Sequence, residues 1–504
     1  LLKMESLKEF EGMWAFSWLD TKDQSLHLCR DKFGKKPLFY YILSDGGIIY
    51  GSTPQAIFDL LGYKLSINFK HIQRYIVNGY KSLFKTEECF FNGLKQVPSG
   101  NFLVWNINNS LKINRWWFPT IGEYDENISI EEAVSVTRDK LLKALEIRLR
   151  SDVPLAFLLS GGVDSNALTH LAKKELGHKV TAFTIINSDK RYEENEMIEL
   201  GLKNLEIDHI PIEVGSVDLE NNLKELSKKR SGPILTTSQF AQTILMKEIS
   251  LRNFKVVISG IGADELFSGY YDHHNAYLHY IANNHNQELN IAIENWKKNA
   301  GLFVRNKFLK DPKYFIKDPL ARDHIFLDSN VFSNYLNSIF YEPFQEVFFC
   351  NDLLRNRMAN EVFHEAIPPL LNEEDSNAMA YSIENRCPYL DHSLFEWSCK
   401  IPSKHLIKNG LAKIILRDAV KDLVPNKLNM NPRKVGFNIP IDSYLNFDEG
   451  NQDSIVNEKK PIFEIVNFKK VKNLLVRKNN RSNEESKFLF SLISANSFIE
   501  AFNS

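Results

Sequence analysis

The chain has 504 residues, 43% of them hydrophobic, and its 62 lysines and arginines almost balance its 63 aspartates and glutamates. At roughly 150 residues per domain, that length implies two to four domains with ample material for packed cores. Balanced charge provides no global field for nucleic acid or an acidic membrane surface, so both are excluded as partners and ligands must be recognised locally.

Cys29, Cys89, Cys350, Cys387 and Cys399 form no CxxC pair and no regular framework. That excludes a zinc site or a secreted disulfide scaffold and points to reduced, structural thiols. No apolar run approaches the ~18 to 20 residues needed to span a bilayer. Leu1-Leu2-Lys3-Met4-Glu5 is not a signal peptide, so a cytoplasmic protein is expected.

Residues 1 to about 118 read as short strands. Runs at 13–19, 26–30, 37–43 and 48–51 are rich in aromatic and branched residues, and turn-formers such as Thr21-Lys22-Asp23 and Ser44-Asp45-Gly46-Gly47 separate them, which predicts an antiparallel sheet. From about 130 the pattern changes. Residues 131–149 carry Val134, Leu141, Leu142, Leu145 and Leu149 on one helical stripe. Strand-like runs at 153–159, 179–185, 209–214 and 255–259 then alternate with helix-like ones. This α/β alternation predicts a doubly wound, largely parallel sheet whose ligands lie at the carboxyl ends of its strands. Residues 271–345 read as mostly helical, and 350–504 as helical with loops at Pro368-Pro369, Pro388, Pro402, Pro425 and Pro432. The basic cluster at 469–481 reads as a solvated helix face.

The first strand of the second region runs into Ser160-Gly161-Gly162-Val163-Asp164-Ser165, and apolar residues at helical spacing follow. Two glycines let the backbone curl so that successive N–H groups and a helix start converge on an anion, and the expected guest is phosphate. The spacing is not that of a GxxxxGK[ST] loop. A second strand enters a similar loop, Ser259-Gly260-Ile261-Gly262-Ala263-Asp264-Glu265-Leu266-Phe267-Ser268-Gly269-Tyr270.

The hexapeptide resembles the SGGxDS pyrophosphate loop of the ATP pyrophosphatases, and the second loop resembles the SGEGADELFGGY segment of the glutamine-dependent asparagine synthetases. Three further elements resemble that family in the same order. Residues 30–38 match its RDxFGxKPL element, residues 375–391 its DxxxMAxSxExRxPxLD element, and residues 413–417 with 433–437 its KxxLR and RKxGF elements. The resemblance implies a partial glutaminase-like domain at 1–120, a remnant of an N-terminal nucleophile hydrolase sheet. At 130–504 it implies an ATP-pyrophosphatase domain with a helical C-terminal part.

It further implies that Gly161, Gly162, Ser160 and Ser165 grip the pyrophosphate of ATP, and that Asp164 and Asp264 hold Mg2+. Ser259 and Gly260 would lie against the nucleotide, Leu159 and Ile185 beside the adenine ring. Lys434 would stabilise phosphoryl charge as an acyl adenylate forms and is consumed. Asp164, Asp264 and Lys434 are thus the catalytic candidates, and Glu384 and Arg386 an ion pair ordering the wall of the site.

Two departures qualify the resemblance. The family's glutaminase domain begins with a catalytic cysteine assisted by its own α-amine. This chain starts at Leu1, and Phe10-Glu11-Gly12-Met13-Trp14-Ala15-Phe16 matches a segment well inside that domain. Cys29 and Cys89 are internal and cannot substitute, so either the sequence is part of a longer protein or free ammonia is used. Ile261 stands where the family carries a glutamate that handles an amine, which opens the choice of acceptor.

The reading is a ligase taking ATP, a carboxylate (aspartate or another) and ammonia or glutamine, in which a homodimer is the self-association allowed for. The alternatives are a related amidotransferase acting on another carboxylate, such as a surface-polysaccharide uronic acid, and a non-catalytic nucleotide-binding homologue. An RNA-modifying enzyme with the same loop would need a basic face and catalytic cysteines.

Overall fold

The computed structural model describes residues 4–108, 110–186, 194–213, 218–325, 329–434, 457–476 and 481–503. The predicted N-terminal strands form, as β1 (Ala15–Asp20), β2 (Ser25–Arg30), β3 (Phe39–Ile42) and β4 (Ile48–Gly51). They are joined by β5 (Lys95–Gln96), β6 (Asn101–Asn106) and β7 (Leu111–Arg115). All pair antiparallel, in one sheet ordered β1-β2-β6-β7 and another ordered β4-β3-β5. The β1–β2 turn closes because the N–H groups of Lys22 and Asp23 donate to Asp20 Oδ1 at 2.9 and 3.3 Å.

Helices Pro54–Leu61 and Phe69–Asn78 interrupt this region, where the sequence suggested strands alone. Their start signals are local. Thr53 and Asn68 accept from the N–H groups of Ala56 and His71, and Pro54 fixes the first helical φ.

The second region contains β8 (Leu155–Leu158), β9 (Thr181–Ile186), β10 (Asp208–Glu213) and β11 (Val256–Ile258), with β12 (Glu384–Arg386) added at the edge. All pairs are parallel, in the order β10-β9-β8-β11-β12. Alternate side chains serve opposite faces, as the strand period requires. Leu155, Phe157, Val256 and Ile258 enter one core with helix Ile130–Arg148, while Ala156, Phe183 and Val257 enter another with Leu245, Met246 and Ile249. Both faces are therefore covered, which makes the sheet doubly wound.

Chain order reverses direction between β8 and β11, so the ends of those two strands flank the topological switch point. The sequence did not announce β12, because three residues carrying Glu384 and Arg386 show no apolar alternation. That pair is present at 2.6 Å, and its guanidinium also donates to the carbonyls of Arg148 and Arg150.

The largest core runs through both regions, including Cys29, Phe33, Trp116 and Trp117 with Phe267, Tyr389 and Phe395. A second core sets Ile57, Tyr75 and Phe91 against Leu223 and the C-terminal helix Asn483–Phe502, through Phe488 and Phe498. Residues 271–345 are less helical than their composition suggested: helices Tyr271–Asn284 and Leu289–Lys298 give way to short turns. Lys469, Lys470 and Lys472 are exposed on helix Phe468–Val476, while 477–480 lie outside the described residues. Among the described residues no helix is long and apolar enough to cross a membrane.

Candidate active site

The apolar run of β8 ends at Leu159, whose N–H donates to Phe183 O at 2.9 Å, and the chain then turns through the glycine pair into helix Val163–His170. The turn is braced from within. Ser160 N–H donates to Ser165 Oγ at 3.0 Å, and Asn166 Nδ2 donates to the carbonyls of Ser160 and Gly162 at 2.9 and 2.8 Å. Gly162 caps the helix without a side-chain acceptor, so no side chain competes with an anion for the first N–H groups.

At the end of β11, Ser259 is buried, its N–H donating to Arg386 O at 2.9 Å and its hydroxyl 3.4 Å from Cys387 Sγ. Gly260 brings the two loops together, since a Cβ there would meet Asp164 Cβ at 3.4 Å. Two residues past Gly262, Asp264 lies in the first turn of the short helix Ala263–Phe267.

Asp164 and Asp264 thus face one another across the switch point, with two lysines between them. Lys413 Nζ lies 2.7 and 2.6 Å from the two oxygens of Asp164 and 2.6 Å from Asp264 Oδ1. Lys434 Nζ lies 2.6 Å from Asp264 Oδ2 and 4.0 Å from Asp164 Oδ2. Burial alone would raise the Asp264 carboxyl, but Lys413 and Lys434 outweigh it and hold the group well below the usual carboxylate range. Burial opposes charge on Lys434 as well, and Asp264 with Asp164 holds its ammonium above the ordinary lysine range.

Hard carboxylate oxygens are the donors that a magnesium ion takes. The floor of the cradle is Gly269, where a Cβ would lie 1.8 Å from Asp264 Oδ1 and 2.2 Å from Lys413 Cε. The donor chemistry fits a small divalent cation, and in this structure the ammonium of Lys413 fills the gap between the two carboxylates.

Lys434 is held by its backbone: its N–H donates to Tyr271 Oη at 3.1 Å, and the same hydroxyl donates to its carbonyl at 3.4 Å. Its ammonium also lies 5.9 Å from the centre of the Tyr270 ring. Val435, Gly436 and Phe437 lie outside the described residues.

Among the other expected residues, Leu159 is buried against Ala182 and Ile198, and Ile185 is partly buried between two apolar clusters near the end of β9. Ser160 and Ser165 stand 3.2 Å apart, hydroxyl to hydroxyl, inside the loop.

The structure adds residues that sequence reasoning did not place at the site. Lys413 is the foremost. Its φ of +59° is unusual for a lysine, and such outliers cluster at functional positions. Tyr389, fully buried, donates from its hydroxyl to Asp164 O at 2.9 Å, which connects the 375–391 element to the site. Glu194 reaches the Gly161 N–H, and burial pushes its carboxyl up to about 7. Glu265 accepts from Tyr270 Oη at 2.5 Å and is likewise pushed up to about 7 by burial and by Asp264. Burial also raises all five thiols, Cys29, Cys89 and Cys387 to about 12 and Cys350 and Cys399 to about 11, which fits structural rather than reactive cysteines.

Residues 136–500 match the family described as Asparagine synthase, and residues 3–117 match the Glutamine amidotransferase domain. Asparagine synthetase (glutamine-hydrolyzing) 1 of Bacillus subtilis is 24% identical over 463 residues, covering 88% of this chain and 70% of that protein. A putative asparagine synthetase (glutamine-hydrolyzing) of Mycobacterium bovis is 25% identical over 477 residues, covering 88% and 69%. Amidase chyE of Penicillium rubens is 25% identical over 489 residues, covering 85% and 70%.

Proposed function

The chain belongs to the asparagine synthase family, and on that premise we propose that it is a ligase that adenylates a carboxylate with ATP and passes the acyl group to ammonia. Amide, AMP and pyrophosphate are the products. The observation that carries this reading is the meeting of Asp164, Asp264, Lys413 and Lys434, from four separate segments, at the switch point of the parallel sheet.

The residues divide the work by charge. The glycine loop at 160–165 offers backbone N–H groups and two serine hydroxyls to the departing pyrophosphate. Asp164 and Asp264 would hold magnesium, which neutralises charge on that leaving group. The ammonium of Lys434, tethered through its backbone to Tyr271, stabilises the phosphoryl oxygens as the acyl adenylate forms. Tyr389 fixes Asp164 from behind. When ammonia attacks the activated carbonyl, the C–N bond forms, the C–O bond to AMP breaks, and the nitrogen loses a proton.

Aspartate is the acceptor that the family resemblance favours. Ile261 supports a second reading. A partly buried aliphatic side chain replaces a carboxylate at the lip of the second loop, and it cannot pair with an acceptor's ammonium. A carboxylate without an α-amine, such as a uronic acid, suits that surface. The relative named as an amidase, as similar to this chain as the asparagine synthetases are, supports keeping that class. We assign residues 1–120 to a partial glutaminase-like domain and 130–504 to the synthetase-like domain. The nitrogen then comes from ammonia, or from glutamine where a glutaminase nucleophile is supplied.

Purified chain given ATP, magnesium, ammonia and a panel of carboxylates should form AMP and pyrophosphate only with its own acceptor. Asp164→Asn and Lys434→Met should each lower that rate by about 10²-fold or more. Retention of full activity in both variants would overturn the assignment. Asparagine formed from aspartate at a rate matching AMP release settles the acceptor, while AMP release with a uronic acid alone selects the second reading.

A further inference from the structure

Lys413 occupies an unusual place. Its ammonium has three carboxylate oxygens within 2.7 Å, two from Asp164 and one from Asp264, and the residue is only 4% exposed. Those are the two groups that the adenylating reading assigns to the divalent cation, so one small space has two claimants of the same sign. The backbone is bent to put the lysine there, with φ at +59° and Gly269 leaving no Cβ to obstruct Cε.

Charge balance gives the arrangement a consequence. Two carboxylates and two ammonium groups, those of Lys413 and Lys434, sum to zero in a largely buried setting. Adding a divalent cation alone would leave two uncompensated positive charges there, which burial strongly disfavours. Adding the cation together with a polyphosphate removes that positive excess, because the phosphate oxygens give each displaced ammonium a new partner.

Resting on the adenylating reading, we propose that Lys413 is an internal stand-in for the divalent cation, which it keeps out until a polyphosphate arrives to receive its ammonium. Metal and nucleotide then load as one unit, and the carboxylates never face each other without a cation between them. Lys434 is a weaker competitor, since it contacts Asp264 closely but stands 4.0 Å from Asp164 and is partly exposed.

Equilibrium dialysis of the full chain against Mn2+, with and without ATP, tests this directly. Wild type should retain little Mn2+ alone and about one ion per chain once ATP is present. Lys413→Met and Lys413→Gln should bind Mn2+ alone about tenfold more tightly than wild type or better, and Lys434→Met should change that affinity less. Equal or weaker Mn2+ binding by both Lys413 variants would overturn the proposal while leaving the metal assignment intact. Failure of wild type to retain Mn2+ even with ATP would instead overturn the assignment of Asp164 and Asp264 as metal carboxylates. Should the Lys413 variants be unfolded in metal-free buffer, Mn2+ must restore their cooperative thermal transition. A transition that stays lost with Mn2+ also overturns the proposal.

Discussion

Adding one methyl group at Gly269 would place a carbon 1.8 Å from Asp264 Oδ1 and 2.2 Å from Lys413 Cε. Neither neighbour has room to retreat, because each is held by the other charges of the cluster. Gly269→Ala should therefore lower ATP binding about tenfold or more and cost roughly 1–3 kcal/mol of stability. Gly232→Ala, where the nearest atom would be Phe90 Cδ2 at 3.8 Å, should do neither; thermal unfolding and ATP titration of the two variants make the comparison. Ser268 shows the same local economy. Its φ of +60° is a conformation that glycine adopts freely, which explains why the family resemblance has glycine there. Asp164, Asp264 and Lys434 were legible in the sequence because each sits in a dense motif. Lys413 was not, because its left-handed φ and the crossing that aims its side chain between two loops are tertiary facts. The sequence showed it as the first residue of the KxxLR element, with nothing to place it between the two carboxylates.

The same division holds for elements. β8, β9, β10 and β11 could be read because apolar runs flanked by helical periodicity have one reasonable meaning. β12 could not, since tertiary pairing alone makes a strand of Glu384–Arg386. Helix Ile367–Met379 lies just before it and carries Glu374 into the interior. Gln242 Nε2 donates to this carboxylate at 2.6 Å, and Asn385 Nδ2 on β12 donates to its other oxygen. Burial pushes Glu374 up to about 7 despite those donors. Because the folded value lies above the unfolded one, its contribution to stability is fully present below the ordinary glutamate value and is lost as pH rises through 7. Glu374→Gln removes that titration. The stability of wild type relative to the variant should fall by about 2 kcal/mol between about pH 5 and about pH 8. Denaturant unfolding at the two pH values measures this, and parallel pH profiles would show that Glu374 titrates normally.

At the scale of the molecule, the two family-like regions meet through a small charged surface laid over a shared core. Asp31 accepts from the N–H groups of Phe33, Lys35 and Lys36, and the Arg30 guanidinium bonds the carbonyls of Gly34, Lys36 and Val97, which makes a rigid turn. From that turn Lys35 Nζ reaches Leu390 O and Lys36 Nζ reaches Asp375 Oδ1, both at 2.7 Å, at the two ends of the 375–391 element. Phe33 packs edge-on against Phe395, and Trp117 Nε1 donates to Glu396 at 3.1 Å. A double-mutant cycle on Lys36→Ala and Asp375→Ala should give a coupling of about 0.5–3 kcal/mol. Additive single effects would mean that this ion pair contributes nothing to the docking, leaving it to the Lys35 and Trp117 hydrogen bonds and the apolar contacts. The sequence showed each motif but not that the 30–38 element docks on the 375–391 element, whose Tyr389 braces Asp164.

Trp116, Trp117 and Phe33 fill the same interior as Phe267 and Tyr389, beside the two glycine loops, so their burial stabilises the parallel-sheet region as well as their own. A change that loosens Phe33, Trp116 or Trp117 therefore reaches the two glycine loops through that interior, as a defect in folding and not in the handling of nitrogen.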